Sequence, residues 1–157
     1  PPEIQPRRKG SDDTEVMLMH VVDGTNMVFG RLASQVAKKL ISGEEVHLIN
    51  AEKLVILGNP KQISGRYLTK RGIKHKGTPE RSPVWPRIPH MLVKRMIRGM
   101  LPRESSRGRD ALKRLRVYTG NPKKLESDMK LEKAEVDGVS KHITIQELCK
   151  SIGYTSG

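Results

Sequence analysis

The first third of the chain combines short apolar runs with one stretch of helical spacing. Three apolar runs predict strands at Met17–Asp23, Val46–Asn50 and Leu54–Leu57. After the first run, apolar residues recur at helical spacing at Leu32, Val36, Leu40 and Ile41. This spacing predicts an amphipathic helix from Arg31 to about Ser42, closed by Gly43. A strand, a helix and two further strands are typical of a βα unit in a mostly parallel sheet, so the predicted class is α/β.

The rest of the chain is less regular. Residues 62–90 are rich in Gly, Pro, Lys and Arg, and predict a short helix at about 63–69 followed by a long extended segment. Further apolar patterns predict helices at 91–101, 110–115 and 143–148, and a short strand at 116–118. We predict a flexible N-terminal tail (1–15) and one α/β domain (16–157). Within that domain, residues 62–124 form the basic part and 125–157 an acidic C-terminal extension with a terminal helix.

The positive charge of the chain is concentrated between Lys61 and Lys124. This segment carries 19 Lys or Arg and 3 acids, whereas the residues before it carry 7 and 8, and those after it 4 and 6. Such a concentration is typical of proteins that bind a polyanion, because crowded cations repel one another without phosphates or counterions. A membrane partner is disfavoured, since no apolar run approaches ~18 residues.

The residue types that usually carry catalysis or bind metals form no recognisable set. Cys149 lies within an apolar helical pattern, so we predict a packed thiol rather than a nucleophile. The five histidines lack metal-site spacing, and we expect neither a metal nor a cofactor. Gly24 and Gly30 flank a βα junction but match neither nucleotide-binding loop. We therefore interpret Gly24 as a turn residue and Gly30 as a position where the helix packs closely on the sheet.

The few aromatic residues bear on the kind of nucleic acid expected. The chain has only five Phe, Tyr and Trp, without an Arg/Lys-Gly-Phe strand motif, which argues against a protein that stacks a run of bases on a sheet. The composition favours recognition of folded RNA by shape and backbone. Trp85, between Pro83 and Pro86, is interpreted as a packing residue for the extended segment.

Three ordered motifs make the chain resemble a known family. The most specific is Lys-Arg-Met-Ile-Arg-Gly-Met-Leu-Pro at Lys94–Pro102, continued at Arg107–Tyr118. Two others precede it, at Gly30–Ser34 and at Asn50–Lys53 with Gly58-Asn59. With these motifs in this order, the sequence closely resembles the universal large-subunit ribosomal protein L-thirteen family. The turn at 120–122, the acidic tail and the terminal helix are similar to its archaeal and eukaryotic-type branch.

The resemblance implies a three-layer α/β/α fold with a small, mainly parallel sheet. It also implies a cytoplasmic, structural and non-enzymatic protein of the large ribosomal subunit. Its partners would be large-subunit rRNA and neighbouring ribosomal proteins, without a membrane or a small-molecule substrate. At the signature helix end, Gly99 is expected to permit close approach, and Met100 and Leu101 to pack inward. Arg31 matches the first motif, and we assign it neither to RNA nor to an acid.

The candidate RNA-binding residues combine the charge pattern with the resemblance. They are Arg66, Lys70, Arg71, Lys74, Lys76, Arg81, Arg87, Lys94, Arg95, Arg98, Gly99, Arg103, Arg107, Arg109, Lys113 and Arg114. Two hypotheses of other classes stay open. A nucleotide-dependent RNA-modifying enzyme would need a small-molecule pocket near Gly24–Gly30. A regulatory RNA-binding protein would form a pool that sediments apart from the large subunit.

Overall fold

The computed structural model describes residues 19–127, Glu135 and 141–155. These residues form five strands: β1 (Met19–Asp23), β2 (Glu45–Ile49), β3 (Val55–Leu57), β4 (Leu115–Val117) and β5 (His142–Thr144). They also form five α-helices: α1 (Phe29–Ser42), α2 (Pro60–Gly72), α3 (Pro89–Arg98), α4 (Ser106–Arg114) and α5 (Ile145–Ser151). The predicted flexible tail, and most of the acidic stretch after residue 127, lie outside the described residues.

The main sheet is parallel and has three strands in the order β1-β2-β4. Val22 pairs with Leu48, which in turn pairs with Val117. The central strand β2 is buried from Val46 to Ile49, as expected of a strand covered on both faces. The α/β class and the three-layer α/β/α arrangement with a small, mainly parallel sheet are therefore confirmed.

Helix α1 supplies one side of the core. Its apolar positions Leu32, Val36 and Leu40 are almost fully buried and belong to the same cluster as the inward residues of β2. The helix ends where predicted, because Gly43 adopts φ of 106° and its N–H bonds to the Leu40 carbonyl. It begins at Phe29, two residues earlier than the predicted start at Arg31.

The third predicted strand does not join the parallel sheet. A 3₁₀ turn at Ala51–Lys53 redirects the chain, and β3 then pairs with β5 in a separate antiparallel sheet, with Val55 opposite Thr144. The predicted terminal helix accordingly begins later, at Ile145. The Thr144 hydroxyl accepts from the Glu147 N–H while the Glu147 carboxylate accepts from the Thr144 N–H, a capping box that fixes this start.

The close approach assigned to Gly30 occurs at Gly24 instead. Gly30 is exposed, and a Cβ built on it would meet no atom within 4 Å, so that interpretation was wrong. Gly24 is buried, and a Cβ there would lie 3.0 Å from Leu54 Cγ and 3.1 Å from the Ile49 carbonyl oxygen. The turn expected at Gly24 is present, since its carbonyl accepts from the Met27 N–H.

The single cysteine is a packed thiol, as predicted. Cys149 lies in α5 with an exposed fraction of 0%, in the same core cluster as Ile145 and Leu148. Burial raises the pKa of its thiol to about 12, so it is protonated at neutral pH. Among the described residues, no helix is long and apolar enough to cross a membrane, and no cluster of His, Cys, Asp and Glu has the makings of a metal site.

Candidate nucleic-acid interface

Helix α3 separates apolar and basic residues onto different faces. Leu92, Val93 and Ile97 are completely buried in the core. Lys94, Arg95 and Arg98 are half-buried on the remaining surface of the helix. This division follows from the helical repeat, which places residues three and four apart on one face. The helix therefore fixes three cations on a rigid support.

The chain leaves α3 through a turn that buries only one of the two residues predicted to pack inward. Leu101 is 5% exposed and joins the core, as predicted. Met100 is 43% exposed, so its predicted inward packing was wrong. The physical reason is that α3 ends at Arg98, and the Met100 N–H then closes a tight turn onto the Ile97 carbonyl, which leaves Leu101 facing the core. Gly99 is exposed beside them.

Helix α4 begins in direct contact with this turn. The Ser105 hydroxyl donates to the Pro102 carbonyl at 3.1 Å and accepts from the Gly108 N–H at 3.2 Å, which caps the helix. Gly108 is buried, and a Cβ on it would overlap the Pro102 carbonyl oxygen. Sequence reasoning missed this glycine. The sequence signal that could have identified it is a serine, typical of a helix N-cap, three residues before the glycine.

Three adjoining clefts meet at Arg98. Their volumes are about 560, 430 and 200 Å³, and Arg98 lines all three. We call the cations around them the Arg98 surface, which comprises Lys94, Arg95, Arg98, Arg103, Arg109 and Lys113. Gly99 lines the smallest cleft, where its missing side chain leaves the backbone open. The structure thus brings together residues from α3, α4 and the turn between them.

Few acids oppose this surface. Glu104 is the one acid that lines the three clefts, and Asp110 forms an exposed ion pair of 3.1 Å with Lys113. The side chains of Arg98, Arg103 and Arg109 make no hydrogen bond or ion pair with other described residues. Exposed pairs contribute little free energy, so even Lys113 can exchange its partner readily. The arrangement can bind several phosphate groups at once.

Trp85 connects α2 to the Arg98 surface. Its ring lies edge-on to Tyr67 of α2, with 5.7 Å between centroids, and the half-buried indole packs against the core cluster. The ammonium group of Lys70 lies 4.7 Å from the Trp85 centroid, and the Arg95 guanidinium 5.2 Å from it. The interpretation of Trp85 as a packing residue is therefore confirmed, and its ring also holds cations from two helices together.

Two of the predicted RNA-binding arginines contact the end of α1. Arg107 donates from Nε and Nη2 to the Ile41 carbonyl, at 3.4 and 3.3 Å. Arg114 donates to the Leu40 carbonyl at 3.4 Å. The last carbonyls of a helix lack intrahelical partners and carry partial negative charge, so arginines there stabilise the helix end.

The remaining predicted residues lie on α2 and the loop after it. Like Arg107 and Arg114, Arg71 donates to a carbonyl at a helix end, that of Ile152 just after α5, at 2.7 Å. The loop between α2 and α3 contains one 3₁₀ turn, and the His75 N–H bonds to Ser82 Oγ at 3.1 Å, which bends the loop back on itself. The predicted RNA-binding residues of this region that are exposed are Arg66, Lys74, Lys76, Arg81 and Arg87, and none lines an Arg98 cleft.

The βα junction at Gly24 carries a carboxylate where a nucleotide-binding fold would hold phosphate. Asp23 accepts hydrogen bonds from the Thr25 N–H at 3.0 Å, the Thr25 hydroxyl at 2.8 Å and Asn50 Nδ2 at 2.9 Å. Burial raises the pKa of Asp23, but these hydrogen bonds and the charge of Lys53 outweigh it, so the pKa lies below the ordinary value. An ionised carboxylate at this strand end repels phosphate, which disfavours a small-molecule site there.

Comparison with known proteins agrees with the resemblance. The ribosomal protein L13 family matches residues 17–124. The large ribosomal subunit protein uL13 of Archaeoglobus fulgidus is 43% identical over 141 residues, covering 85% of this chain and 87% of the relative. The uL13 proteins of Methanocaldococcus jannaschii and Methanopyrus kandleri are 43% and 41% identical, covering 86% and 85% of this chain and 98% and 86% of those relatives. Proteins of this family are structural components rather than enzymes. These matches show that the chain belongs to the ribosomal protein L13 family, in its archaeal-type branch.

Proposed function

We propose that this protein is a structural constituent of the large ribosomal subunit in the cytoplasm, and that its Arg98 surface binds folded large-subunit rRNA. In this role it supports subunit assembly and translation, in contact with neighbouring ribosomal proteins. The observation that carries the proposal is the convergence of six cations from α3, α4 and their connecting turn on three adjoining clefts. The family match indicates that those cations would meet RNA in the large ribosomal subunit.

The fold explains how these cations can act on RNA. Five of them stand on α3 and α4, whose apolar faces are buried, and Arg103 stands on the connecting turn. The backbone that carries them is therefore fixed before RNA arrives, and little backbone entropy is lost on binding. Each phosphate neutralised by Lys or Arg releases condensed counterions, which makes the affinity fall steeply with salt. Lys70 extends the surface through Trp85, while Arg66, Lys74, Lys76, Arg81 and Arg87 supply a second group of contacts on α2 and its loop.

The test compares two triple variants of equal charge loss. One is Arg98→Ala, Arg103→Ala and Arg109→Ala, and its matched control is Lys38→Ala, Lys141→Ala and Lys150→Ala, all exposed cations outside the basic segment. Binding of each full chain to large-subunit rRNA is measured across a salt series. The first variant is expected to lose at least about tenfold in affinity at 150 mM salt, and its log–log salt slope to fall by about 2–3.

The control separates specific contacts from net charge. Equal losses in both variants would show that only the total charge matters and would contradict the proposed surface.

Sucrose-gradient sedimentation of an extract tests whether the protein is part of the large ribosomal subunit. Near-stoichiometric comigration with the large subunit after a salt wash is expected. A predominantly free pool would instead favour the regulatory RNA-binding hypothesis.

A further inference from the structure

A fourth cleft, of about 520 Å³, lies beside β4 and the first turn of α3. It shares Lys94 with the Arg98 surface, so the two regions are continuous. Apart from Lys94, its polar lining comes from residues outside the predicted RNA-binding set, including Tyr118, Lys123, Arg116 and His47. Like the smallest Arg98 cleft, which Trp85 lines, this cleft has an aromatic ring in its wall, that of Tyr118.

Tyr118 presents its ring from a fixed backbone. It directly follows β4, its N–H donates to the Leu48 carbonyl at 2.8 Å, and its carbonyl accepts from the Ala51 N–H at 3.1 Å. The His47 ring packs against the phenol with 5.8 Å between centroids. The Lys123 ammonium lies 5.3 Å from the Tyr118 centroid. The ring is therefore half-buried, held by a fixed backbone and in contact with an exposed cation.

The charge of the cleft is positive. Lys94, Arg116 and Lys123 line it, and its one acid, Glu45, lies 3.2 Å from His47 Nε2 and 3.9 Å from Arg116 Nε. The first turn of α3 also lines the cleft. Its N-cap residue, Ile88, provides no side-chain cap, so the positive end of the helix dipole is unshielded there.

One polar atom in the cleft wall lacks a partner. His47 is 7% exposed, and its Nδ1 is the one buried side-chain nitrogen or oxygen among the described residues that has no hydrogen bond. Buried polar atoms are nearly always satisfied in native proteins, and an exception calls for an explanation such as strain, a bound water or ion, or a functional role. His47 therefore gives an observation independent of the cations and the helix end.

We propose that this cleft holds a single unpaired nucleotide of the bound RNA. Its base would stack on the Tyr118 ring, and its phosphate would lie between Lys94, Lys123 and the first turn of α3. Lys123 is exposed and can leave the ring, since base stacking on an aromatic side chain is worth more than an exposed cation–π contact. The displaced ammonium then remains near the phosphate. This inference rests on the proposed RNA-binding function and adds one base contact to recognition that is otherwise of backbone and shape.

The experiment irradiates the complex of the full chain with large-subunit rRNA at a wavelength that crosslinks stacked bases to aromatic rings. Mass spectrometry of the digested complex then maps the crosslinked residue. We expect Tyr118 to carry a single nucleotide in the wild-type chain. In parallel, Tyr118→Leu is expected to weaken rRNA binding at least about fivefold and abolish the crosslink, whereas Tyr118→Phe, which keeps the ring, retains both.

The possible results distinguish the inference from the function on which it rests. Steep, salt-dependent binding by the wild type without a Tyr118 crosslink, and with unchanged affinity of Tyr118→Leu, overturns the nucleotide site alone. If Lys123→Ala lowers the rRNA affinity while Tyr118→Leu binds normally, Lys123 contacts a phosphate without base stacking on Tyr118. That result also overturns the nucleotide site. Failure of the wild-type chain to bind rRNA at all overturns both proposals. The wild-type crosslink needs no variant, so instability of Tyr118→Leu would not obscure the answer.

Discussion

Helix α4 carries cations on two faces that make different contacts. Arg107 and Arg114, the α1-facing pair, donate to the Ile41 and Leu40 carbonyls at the end of α1. Arg109 and Lys113, the cleft-facing pair, line the largest cleft of the Arg98 surface. The members of the first pair are seven residues apart and those of the second are four apart, so each pair occupies its own side of the helix.

The comparison teaches that a count of cations does not distinguish those that already contact backbone carbonyls from those that do not. All four residues look alike in sequence, and all four were predicted to bind RNA. The α1-facing pair already neutralises the partial negative charge of a helix end. The cleft-facing pair has only the exposed contact of Lys113 with Asp110. Packing of α4 against α1 therefore divides the cations of this helix into a pair that contacts a helix end and a pair that we propose to bind RNA.

A substitution that displaces α4 would disturb both pairs of cations at once. Gly108→Ala puts a Cβ onto the Pro102 carbonyl oxygen, which is backbone and cannot move aside cheaply. We expect the free energy of unfolding to fall by about 3 kcal/mol, because this overlap outweighs the gain of about 1 kcal/mol in helix propensity. Urea denaturation measures it. The matched control, Gly30→Ala, is exposed with open space around it and should be neutral or slightly stabilising. Equal effects at both positions would contradict the close packing at Gly108.

Removing the two charges from one face of α4 at a time tests the comparison directly. Arg107→Ala with Arg114→Ala removes two charges, as does Arg109→Ala with Lys113→Ala. The first variant is expected to lose about 1–2 kcal/mol of unfolding free energy, since two helix-end carbonyls lose their donors. The second should stay within about 0.5 kcal/mol of the wild type while its rRNA affinity and salt slope fall. Denaturation and salt-titrated binding are both measured. Indistinguishable behaviour of the two variants would show that the faces are not functionally separate.

A smaller change sharpens the picture of the cleft-facing pair. Asp110→Asn removes the acid that pairs with Lys113 and leaves the shape of the side chain almost unchanged. We expect a stability change below about 0.5 kcal/mol, as for other exposed ion pairs, and an rRNA affinity about twofold higher. Glu126→Gln, which removes an exposed acid beyond the basic segment, is the control. A loss of affinity on Asp110→Asn would mean that the carboxylate itself takes part in binding.

The elements with strong local signals could be predicted from the sequence. The spacing of Leu32, Val36 and Leu40, together with Gly43 at the end, defined α1 except for its first turn. The apolar run of β2 and the helical pattern of α3 were equally clear. In these segments periodicity and end residues agree with the final packing, so local information is sufficient.

The features that were missed depend on distant partners. The sequence at β3 reads as a strand, but its partner β5 lies beyond the whole basic segment, so its sheet could not be inferred locally. Met100 and Leu101 are adjacent and apolar, and only the turn after α3 decides which is buried. The candidate site was predicted as a set of cations. Its division into the Arg98 surface and the helix-end arginines requires the position of α1, and the Tyr118 cleft requires the position of α3.

The order of the strands has a consequence for how the chain folds. β4 lies within the basic segment and β5 after it, yet they pair with β2 and β3, which precede it. Such topology has a high contact order, and closing these long loops loses chain entropy before any packing is gained, which slows folding. Closure must also draw 19 cations into one small volume. A polyanion that screens their repulsion would therefore lower the kinetic barrier to folding, so the RNA proposed as the ligand of this chain would also act as its folding partner.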